Sequence, residues 1–350
     1  MIAGFSGHTA PDDLRKLIAE FDLAGVIFFA RNIVEPRQVA ELSRECASLA
    51  RDWPLWVSVD QEGGRVARLK APFTEWPPAV TLGRSGDEAL AERFASALAA
   101  ELRAVGINLD FAPVLDVHTN PANPVIGDRA LADDPELAGR LGAAVIRGLQ
   151  KAGVAACGKH FPGHGDTHLD SHEALPIVEH DRKRLDAIEF VPFRRAIAEG
   201  VATIMTAHVL VPAIDEHHIA SFSTRVVTGL LKEHLGFPGV VISDDLDMKA
   251  VSSTTESAEA TVRAIQAGCD VVLLCNSTPE AQWQAMETLI RAVERREISW
   301  SRIDDAMLRQ KRVKERFASS MAAGATAASG LDQVGRAEHL AIAREMSAWR

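Results

Sequence analysis

Four of the twelve histidines lie in one short segment of the chain, at positions 160, 164, 168 and 172. On a helix, this four-residue spacing would place four imidazoles on one face and predict a metal site. Pro162, Gly163 and Gly165 interrupt the segment, which is therefore predicted to be a loop that leaves a strand ending near Gly158. A helical zinc site is excluded, and each histidine has to be considered separately.

Asp166 and His168 stand two residues apart in this loop. Residues i and i+2 of an extended segment face the same way, so the Asp166 carboxylate can orient and charge-stabilise the His168 imidazole. An imidazole with an unperturbed pKa of about 6.5 suits general acid/base catalysis near neutral pH. The alternative is that such groups only satisfy hydrogen bonds of a buried loop backbone. The pattern alone leaves both interpretations open.

A nucleophile has to come from another part of the chain. No G-x-S-x-G elbow is present, the four cysteines have mostly apolar neighbours, and there is no tyrosine to act as a phenol nucleophile. Asp244 and Asp245 directly follow the apolar run 240–242. Because adjacent strand residues point to opposite faces, only one of them is expected to face a pocket. The alternative role for one of the pair is to cap a following helix.

The segment DQEGGRVARL, which begins at Asp60, contributes cationic groups. The Gly-Gly pair at 63–64 permits a tight turn that would bring Arg65 and Arg68 back beside Asp60. Arg129, in a later loop, is a further candidate for holding a substrate. Asp/Arg pairs are commonly structural, so this segment is a weak signal by itself.

Eight short apolar runs are predicted as strands, and several of them follow an amphipathic segment that ends in Gly. Gly suits the left-handed position that closes a helix, and a continuous apolar run is typical of a parallel strand buried on both faces. Strands alternating with helices predict an α/β fold with a parallel sheet. The runs are 2–5, 26–30, 55–59, 107–111, 154–158, 201–206, 240–242 and 269–275.

Almost every run ends in polar or ionisable residues, among them Asp60, Asp110, His160, His208 and Asn276. Strand ends converge on one face of a barrel, which favours a (β/α)8 TIM-like barrel over a doubly wound sheet. We expect a single barrel domain over residues 1–318. The segment 319–350 is predicted to be a small-residue linker followed by a helix near 334–347.

Composition and charge exclude several classes of protein. Hydrophobic residues make up 47% and charged residues 25% of the chain, as in globular proteins. A net charge of -10 without a basic run excludes a nucleic-acid groove. No export signal precedes Asp13, and the longest strongly apolar run, 23–30, is too short to cross a bilayer. We therefore expect a cytoplasmic monomer without a membrane partner.

Five motifs along the predicted barrel resemble those of the β-N-acetylglucosaminidases of glycoside hydrolase family 3, bacterial enzymes of cell-wall recycling. The motifs are DQEGGRVARL, VIGDR, KHFPGHGDTHLDSH, MTAH and VISDDLDM, in this order. The resemblance covers about residues 1 to 315. It implies a single barrel domain and a retaining reaction that releases non-reducing terminal N-acetylglucosamine from muropeptides. No cofactor and no metal are expected.

By motif position, the resemblance makes Asp244 the nucleophile, His168 the acid/base and Asp166 its orienting partner. This differs from the usual two-carboxylate scheme, and a neutral acid/base adds no second negative charge beside the nucleophile. Gln61 and the pair 130–131 depart from the commoner family pattern, which bears on the aglycone rather than on the reaction. The positions matching sugar-binding residues of the family are Asp60, Arg68, Arg129, Lys159 and His160.

Three alternatives remain at this point. A phosphorylase would use phosphate instead of water on the same site and release N-acetylglucosamine 1-phosphate. A non-catalytic sugar-binding barrel would show no turnover. A metal-dependent barrel hydrolase would lose its activity on chelation, and its candidate ligands are His160, His164, His168 and His208.

Overall fold

A computed structural model describes residues 1–171, 175–318 and 330–350. Its central feature is a closed barrel of eight parallel strands that pair in chain order, the last with the first. This confirms the predicted (β/α)8 barrel. The strands are β1 (Ile2–Gly4), β2 (Gly25–Phe28), β3 (Trp56–Val59), β4 (Leu109–Asp110), β5 (Ala155–Phe161), β6 (Thr203–Thr206), β7 (Val240–Asp245) and β8 (Val271–Leu274).

Helices and two small hairpins surround the barrel. The α-helices are α1 (Asp12–Phe21), α2 (Pro36–Ser48), α3 (Val80–Ser85), α4 (Glu88–Ala104), α5 (Pro135–Lys151), α6 (Arg182–Ala187), α7 (Phe190–Ala198), α8 (Lys249–Ser252), α9 (Ser257–Ala267), α10 (Pro279–Glu294), α11 (Trp300–Phe317) and α12 (Ala337–Ser347). Arg225–His234 is a π-helix, and short 3-10 turns lie at Ala30–Asn32, Gly127–Arg129, Ala220–Phe222 and Leu331–Gln333. The antiparallel hairpins pair Gln61–Gly63 with Val66–Ala67 and Leu210–Val211 with Asp215–Ile219.

The helices differ from the sequence prediction in two ways. The sequence predicts one amphipathic helix over 181–199, but the structure has two helices in this range, α6 and α7. Pro192 explains the break, because a proline ring clashes with the carbonyl of the residue four positions earlier, here Ile188. Helices α10 and α11 were not predicted, although capping side chains, Thr278 and Ser299, mark their beginnings.

Apolar side chains fill the lower part of the barrel. Alternate strand residues point inward, so Trp56 joins the interior cluster while Val57 packs outward against the helices. Helix α11 adds Phe317 to the interior cluster, and its Lys314 ammonium donates to the Ala24 carbonyl over 2.9 Å. The barrel is therefore closed at the amino-terminal ends of its strands, and a cavity opens at the opposite face.

The last helix, α12, packs against α4. The Glu101 carboxylate lies 2.8 Å from His339 Nδ1, and Met346 is fully buried. The predicted linker, 319–329, lies outside the described residues, so the division between a barrel over 1–318 and an appended tail over 319–350 stays a prediction. No described helix is both long and apolar enough to cross a membrane.

Candidate active site

A cavity of about 510 Å³ opens at the carboxyl ends of the barrel strands. Apolar side chains from three strands, Ile27, Met205 and Leu273, form part of its lining. Six of the eight predicted site residues also line it. These are Asp60, Arg68, Arg129, Lys159, His160 and Asp244.

Lys159 and His160 belong to strand β5, which is three residues longer than the predicted end at Gly158. The prediction of a loop from 159 onward is therefore wrong for the first three positions. The ladder continues because neighbouring segments supply backbone donors: Leu115 N–H donates to the Lys159 carbonyl over 2.6 Å, and Ala207 N–H to the Phe161 carbonyl over 2.7 Å. Placement on a strand fixes Lys159 and His160 more firmly than a loop would.

Lys159 lies at the centre of a buried cluster of charges. Its ammonium is 2.8 Å from Asp60 Oδ1 and 2.6 Å from Glu62 Oε1. The Arg129 guanidinium binds the same Glu62 in a bidentate pair, with distances of 2.9 and 2.8 Å. Burial alone would raise the pKa of Glu62, but the Lys159 and Arg129 charges hold it well below its usual value. Likewise, burial opposes the charge on Lys159, but Asp60 and Glu62 raise the pKa of that ammonium.

Glu62 was not predicted as a site residue. It was missed because a glutamate next to a Gly-Gly turn is normally exposed, and because its partner Arg129 is 67 positions away in the chain. The structure thus shows the Arg129 guanidinium at the edge of the cavity already bound to a carboxylate, and not as a free cation for the substrate. The sequence did offer one indication of Glu62. Several cations are predicted near Asp60, and their charge has to be balanced by a further carboxylate.

The turn after Asp60 separates the two arginines that were expected beside it. Gly63 and Gly64 have φ values of 100° and 56°, in the left-handed region. Arg68 returns to within 3.6 Å of Asp60, whereas Arg65 forms a 3.0 Å ion pair with Asp128 instead. The prediction that Arg65 would lie beside Asp60 is therefore wrong, although Arg65 does line the outer cavity.

His160 is held by Asp116, a second residue that sequence reasoning missed. The Asp116 Oδ2 atom lies 2.7 Å from His160 Nδ1, and its Oδ1 atom accepts the His164 N–H over 2.6 Å. Burial would raise the pKa of Asp116, but the adjacent His160 lowers it. With Nδ1 bound to Asp116, Nε2 is the His160 nitrogen left to meet a ligand. A single aspartate inside the apolar run FAPVLDV was the available signal.

Both aspartates at the end of β7 line the cavity, contrary to the expectation that only one would. The reason is a register shift between Ile242 and Asp245 in the pairing of β7 with β8, which breaks the strict alternation of side chains. Alternation along the sequence cannot reveal such a shift.

Protonation distinguishes the two aspartates. Burial would raise the pKa of Asp244, but the nearby His160 brings it below its ordinary value. Burial and the charge of Asp247 instead raise the pKa of Asp245 to about 7. Asp245 Oδ1 also accepts the N–H groups of Asp247 and Cys275, over 3.1 and 3.0 Å. It therefore stabilises the backbone of the turn after β7, a role similar to the helix cap that the sequence offered as an alternative for one of the two aspartates. Of the two carboxylates, Asp244 therefore has the stronger tendency to be ionised at neutral pH.

The histidine loop holds the two remaining predicted residues outside the cavity lining. Asp166 accepts a 2.6 Å hydrogen bond from the Thr119 hydroxyl and also pairs with His180 and, at 3.6 Å, with Arg184. Burial would raise the pKa of Asp166, but these partners lower it. His168 is exposed, with Nδ1 3.1 Å from the Asn120 amide. The structure thus does not bring Asp166 and His168 together, and their pairing stays a prediction.

One of the two other histidines of the loop, His164, lies among the described residues. His164 is buried, 2.6 Å from the Thr167 hydroxyl and 3.1 Å from that of Ser171. Burial lowers its pKa to about 4. His172 lies outside the described residues.

The segment 118–124, which the sequence left unassigned, holds this loop in place. The Asn123 amide donates to the His164 carbonyl over 2.8 Å, and its oxygen accepts the N–H groups of Val125 and Ile126. Thr119 and Asn120 supply the contacts to Asp166 and His168 described above. The segment therefore has a positioning role.

No group of three or more His, Cys, Asp or Glu side chains among residues 1–171, 175–318 and 330–350 could hold a metal ion. His208, one of the four proposed ligands of the metal alternative, is instead bound to the Ser221 hydroxyl and the Asp245 carbonyl, over 2.8 and 3.0 Å. The described cavity residues offer charged hydrogen-bonding groups, among them the carboxylates of Asp60 and Asp244, which suit a polar substrate.

A charged cavity at the carboxyl ends of a parallel barrel is typical of (β/α)8-barrel enzymes. Residues 5–313 match the family model described as the glycosyl hydrolase family 3 N terminal domain. The chain belongs to glycoside hydrolase family 3. The predicted family and the predicted class of enzyme are confirmed.

Three similar proteins illustrate the relationship. Beta-hexosaminidase A of Pseudoalteromonas piscicida is 35% identical over 365 residues, which cover 97% of this chain and 60% of the relative. A glycoside hydrolase family 3 beta-N-acetylglucosaminidase from Paenibacillus sp. str. FPU-7 has a TM-score of 0.95 and 47% identity, covering 99% of this chain and 66% of that protein. NagZ from Neisseria gonorrhoeae, solved in complex with N-trifluoroacetyl-D-glucosamine, has a TM-score of 0.73 and 32% identity, covering 89% and 97%. The chain therefore spans less than two thirds of the first two proteins and nearly all of the third.

Proposed function

We propose that this chain is a retaining exo-β-N-acetylglucosaminidase, in which Asp244 forms a covalent glycosyl-enzyme intermediate. The observation that carries the proposal is the contrast at the end of β7. Of two adjacent carboxylates in the cavity, Asp244 has a lowered pKa and Asp245 a raised one. A nucleophile has to be ionised, and a retaining glycosidase needs one such carboxylate beside the anomeric carbon.

The buried charge cluster supports recognition of a sugar. Asp60 offers carboxylate oxygens, while Lys159, Arg68 and His160 offer donors around the same cavity. Hydroxyl groups that bind fixed charged partners are discriminated strongly, because a substrate without them leaves buried charges unpaired.

Acid/base duty is proposed for His168, with Asp166 as its orienting partner. Support comes from their spacing in the histidine loop and from the resemblance of KHFPGHGDTHLDSH to the family motif. Catalytic hydrogen bonds often form only in the substrate complex, so this role does not require the two side chains to be bonded beforehand.

The proposed substrates are muropeptides carrying a terminal N-acetylglucosamine, processed in the cytoplasm by a monomer during cell-wall recycling. The resemblance supports this assignment, and the similar proteins, a beta-hexosaminidase and a beta-N-acetylglucosaminidase, support the terminal sugar. Two cations at the cavity mouth, Arg65 and Lys249, are compatible with an acidic aglycone. A neutral acid/base also tolerates such an aglycone better than a second carboxylate would.

The test combines an activity assay with a covalent trap. The purified chain should hydrolyse an aryl β-N-acetylglucosaminide and release N-acetylglucosamine in phosphate buffer after prolonged chelation. A 2-deoxy-2-fluoro sugar should then label one aspartate, which peptide mass spectrometry should map to Asp244. N-acetylglucosamine 1-phosphate as the product would indicate the phosphorylase, and loss of activity on chelation the metal-dependent hydrolase. A label on another residue would refute the assignment of the nucleophile.

A further inference from the structure

A chain of buried polar side chains runs behind the end of β7. Thr206, His208 and Ser221 are all fully buried, and none of them has a part in the proposed mechanism. The Thr206 hydroxyl donates to Ser221 Oγ over 3.0 Å, and Ser221 Oγ lies 2.8 Å from His208 Nδ1. His208 Nε2 then reaches the Asp245 carbonyl oxygen at 3.0 Å. Buried polar groups cost free energy unless they are bonded, and here each side chain of the series satisfies the next.

His208 lies just beyond the point where the backbone pairing between strands β6 and β7 ends. Strand β7 pairs with β6 from Val240 to Ser243, whose partner is Thr206. Beyond Ser243, the Asp245 carbonyl on this side is bound by the His208 side chain rather than by a backbone N–H. On the other side, Leu246 N–H donates to the Leu273 carbonyl of β8 over 3.1 Å. His208 thus replaces a missing backbone donor at the residue after the nucleophile.

The hydrogen-bond network assigns the tautomer of His208. The Asp245 carbonyl can only accept, so the hydrogen must be on Nε2. Burial lowers the pKa of His208, which keeps the ring neutral and makes Nδ1 an acceptor. Ser221 therefore donates its hydroxyl hydrogen to Nδ1 in preference to its other acceptor, the Ala207 carbonyl at 2.9 Å. Ser221 orients the ring, and the ring orients the strand end.

Asp245 is hydrogen-bonded both to His208 and to the proposed nucleophile, Asp244. Asp245 N–H donates to Asp244 Oδ1 over 2.8 Å, while its carbonyl accepts from His208. A shift of this residue would therefore rotate the Asp244 carboxylate away from its present direction. We propose that His208, fixed by Ser221, is a positioning residue that holds the Asp244 carboxylate in its attacking orientation. The inference rests on the proposed role of Asp244.

Two matched substitutions test the role of the Nε2 donor. In His208→Gln the amide nitrogen occupies nearly the position of Nε2, whereas in His208→Asn it reaches only as far as Nδ1. We expect the Gln variant to keep kcat within a few-fold of the unsubstituted chain. The Asn variant should lose roughly 10²-fold in kcat with little change in KM, which is the scale of a misplaced reacting group. Equal kcat values for the two variants would overturn the inference.

Two readouts separate positioning from a general structural role. The Asn variant should slow an aryl glycoside with a good leaving group as much as one with a poor leaving group, because attack by the nucleophile is needed for both. The fluorosugar trap should still label the whole protein, only more slowly. A loss confined to the poor leaving group would contradict the inference. Partial labelling would mean that part of the Asn variant is unfolded and that this explains its loss of kcat. The Ser221→Ala variant is then measured instead. An unchanged kcat in that variant would overturn the positioning role of His208.

An exposed histidine provides the control. His217 lies in the hairpin Asp215–Ile219 and not in the cavity lining, so His217→Asn should leave kcat and KM unchanged. The unsubstituted chain separates the two proposals. If it fails to hydrolyse the aryl glycoside, the proposed function fails. If it hydrolyses the glycoside and His208→Asn does so equally fast, only the role of His208 fails.

Discussion

The strand ends of the barrel and the histidine loop hold their functional groups in different ways. Lys159, at the end of β5, is 2% exposed and in contact with two carboxylates. Asp166, only seven positions later, has a side chain that is 22% exposed and binds partners from neighbouring loop segments and helix α6. The groups assigned to sugar binding and attack are fixed by the barrel, whereas those assigned to proton transfer depend on a loop.

This difference predicts two kinds of sensitivity. Substitutions at the strand ends should affect the folded state as well as the reaction, because they leave buried charges unpaired. Substitutions of Asp166 and His168, the loop residues assigned to proton transfer, should affect mainly the reaction, and only its proton-transfer part.

The largest effect is expected for Asp244→Asn. An amide cannot form the glycosyl-enzyme intermediate, so kcat should fall roughly 10⁴-fold or more, as for removal of other catalytic side chains. Hydrolysis of an aryl β-N-acetylglucosaminide measures this. Circular dichroism and thermal unfolding serve as controls for folding, and normal turnover by the variant would rule out Asp244 as the nucleophile.

His168→Ala is expected to show a selective loss. With a sugar leaving group, which needs protonation, the rate should fall by roughly 10² to 10⁴, the usual scale of general acid catalysis. With a good phenolate leaving group the glycosylation rate should change much less. Rates measured with aryl glycosides of graded leaving-group pKa provide the test. Equal losses across the series would argue against acid/base duty.

Lys159→Met should reduce stability most among the substitutions at the strand ends. It leaves the buried carboxylates of Asp60 and Glu62 with one cation fewer each, and breaking a buried pair costs about 3–5 kcal/mol. Asp166→Asn, in the loop, should change the free energy of unfolding by about 1 kcal/mol or less. Urea denaturation measures both. Similar losses in the two variants would remove the contrast between the two regions.

The last prediction concerns pH and the buried imidazole of His164 in the loop. His164 has its pKa lowered to about 4 by burial, so the folded state favours the neutral ring. Its contribution to stability is complete above the unfolded pKa of about 6.5 and is lost as the pH falls towards 4, on the order of 3 kcal/mol in total. His164→Gln lacks this titration. Its stability relative to the unsubstituted chain should therefore improve between pH 7 and pH 4.5 in urea denaturation, and a constant difference would contradict the assignment.

The barrel and much of the site follow from local sequence patterns. A Gly after an amphipathic segment and an apolar run after the Gly predicted the strands, and polar strand ends predicted the face of the cavity. Asp60, Arg68, Lys159, His160 and Asp244 were located in this way, together with the family motifs.

The residues that were missed depend on distant partners or on irregular backbone. Glu62 and Asp116 act through Arg129 and His160, which are 67 and 44 positions away. No local pattern encodes such pairs. The register shift that turns both Asp244 and Asp245 into the cavity likewise depends on how β7 and β8 pair. Ion pairs and strand register are set by tertiary packing, which periodicity does not report.

The closure of the barrel has a consequence for synthesis of the chain. Strand β1 pairs with β8 through Ile2 and Leu273, and Lys314 binds the Ala24 carbonyl from 290 positions away. During translation, at roughly 5–20 residues per second, the amino-terminal strand must wait many seconds for its last neighbour. Until then, its apolar edge is unpaired. We therefore expect newly made chains to be most prone to aggregation just before β8 emerges from the ribosome.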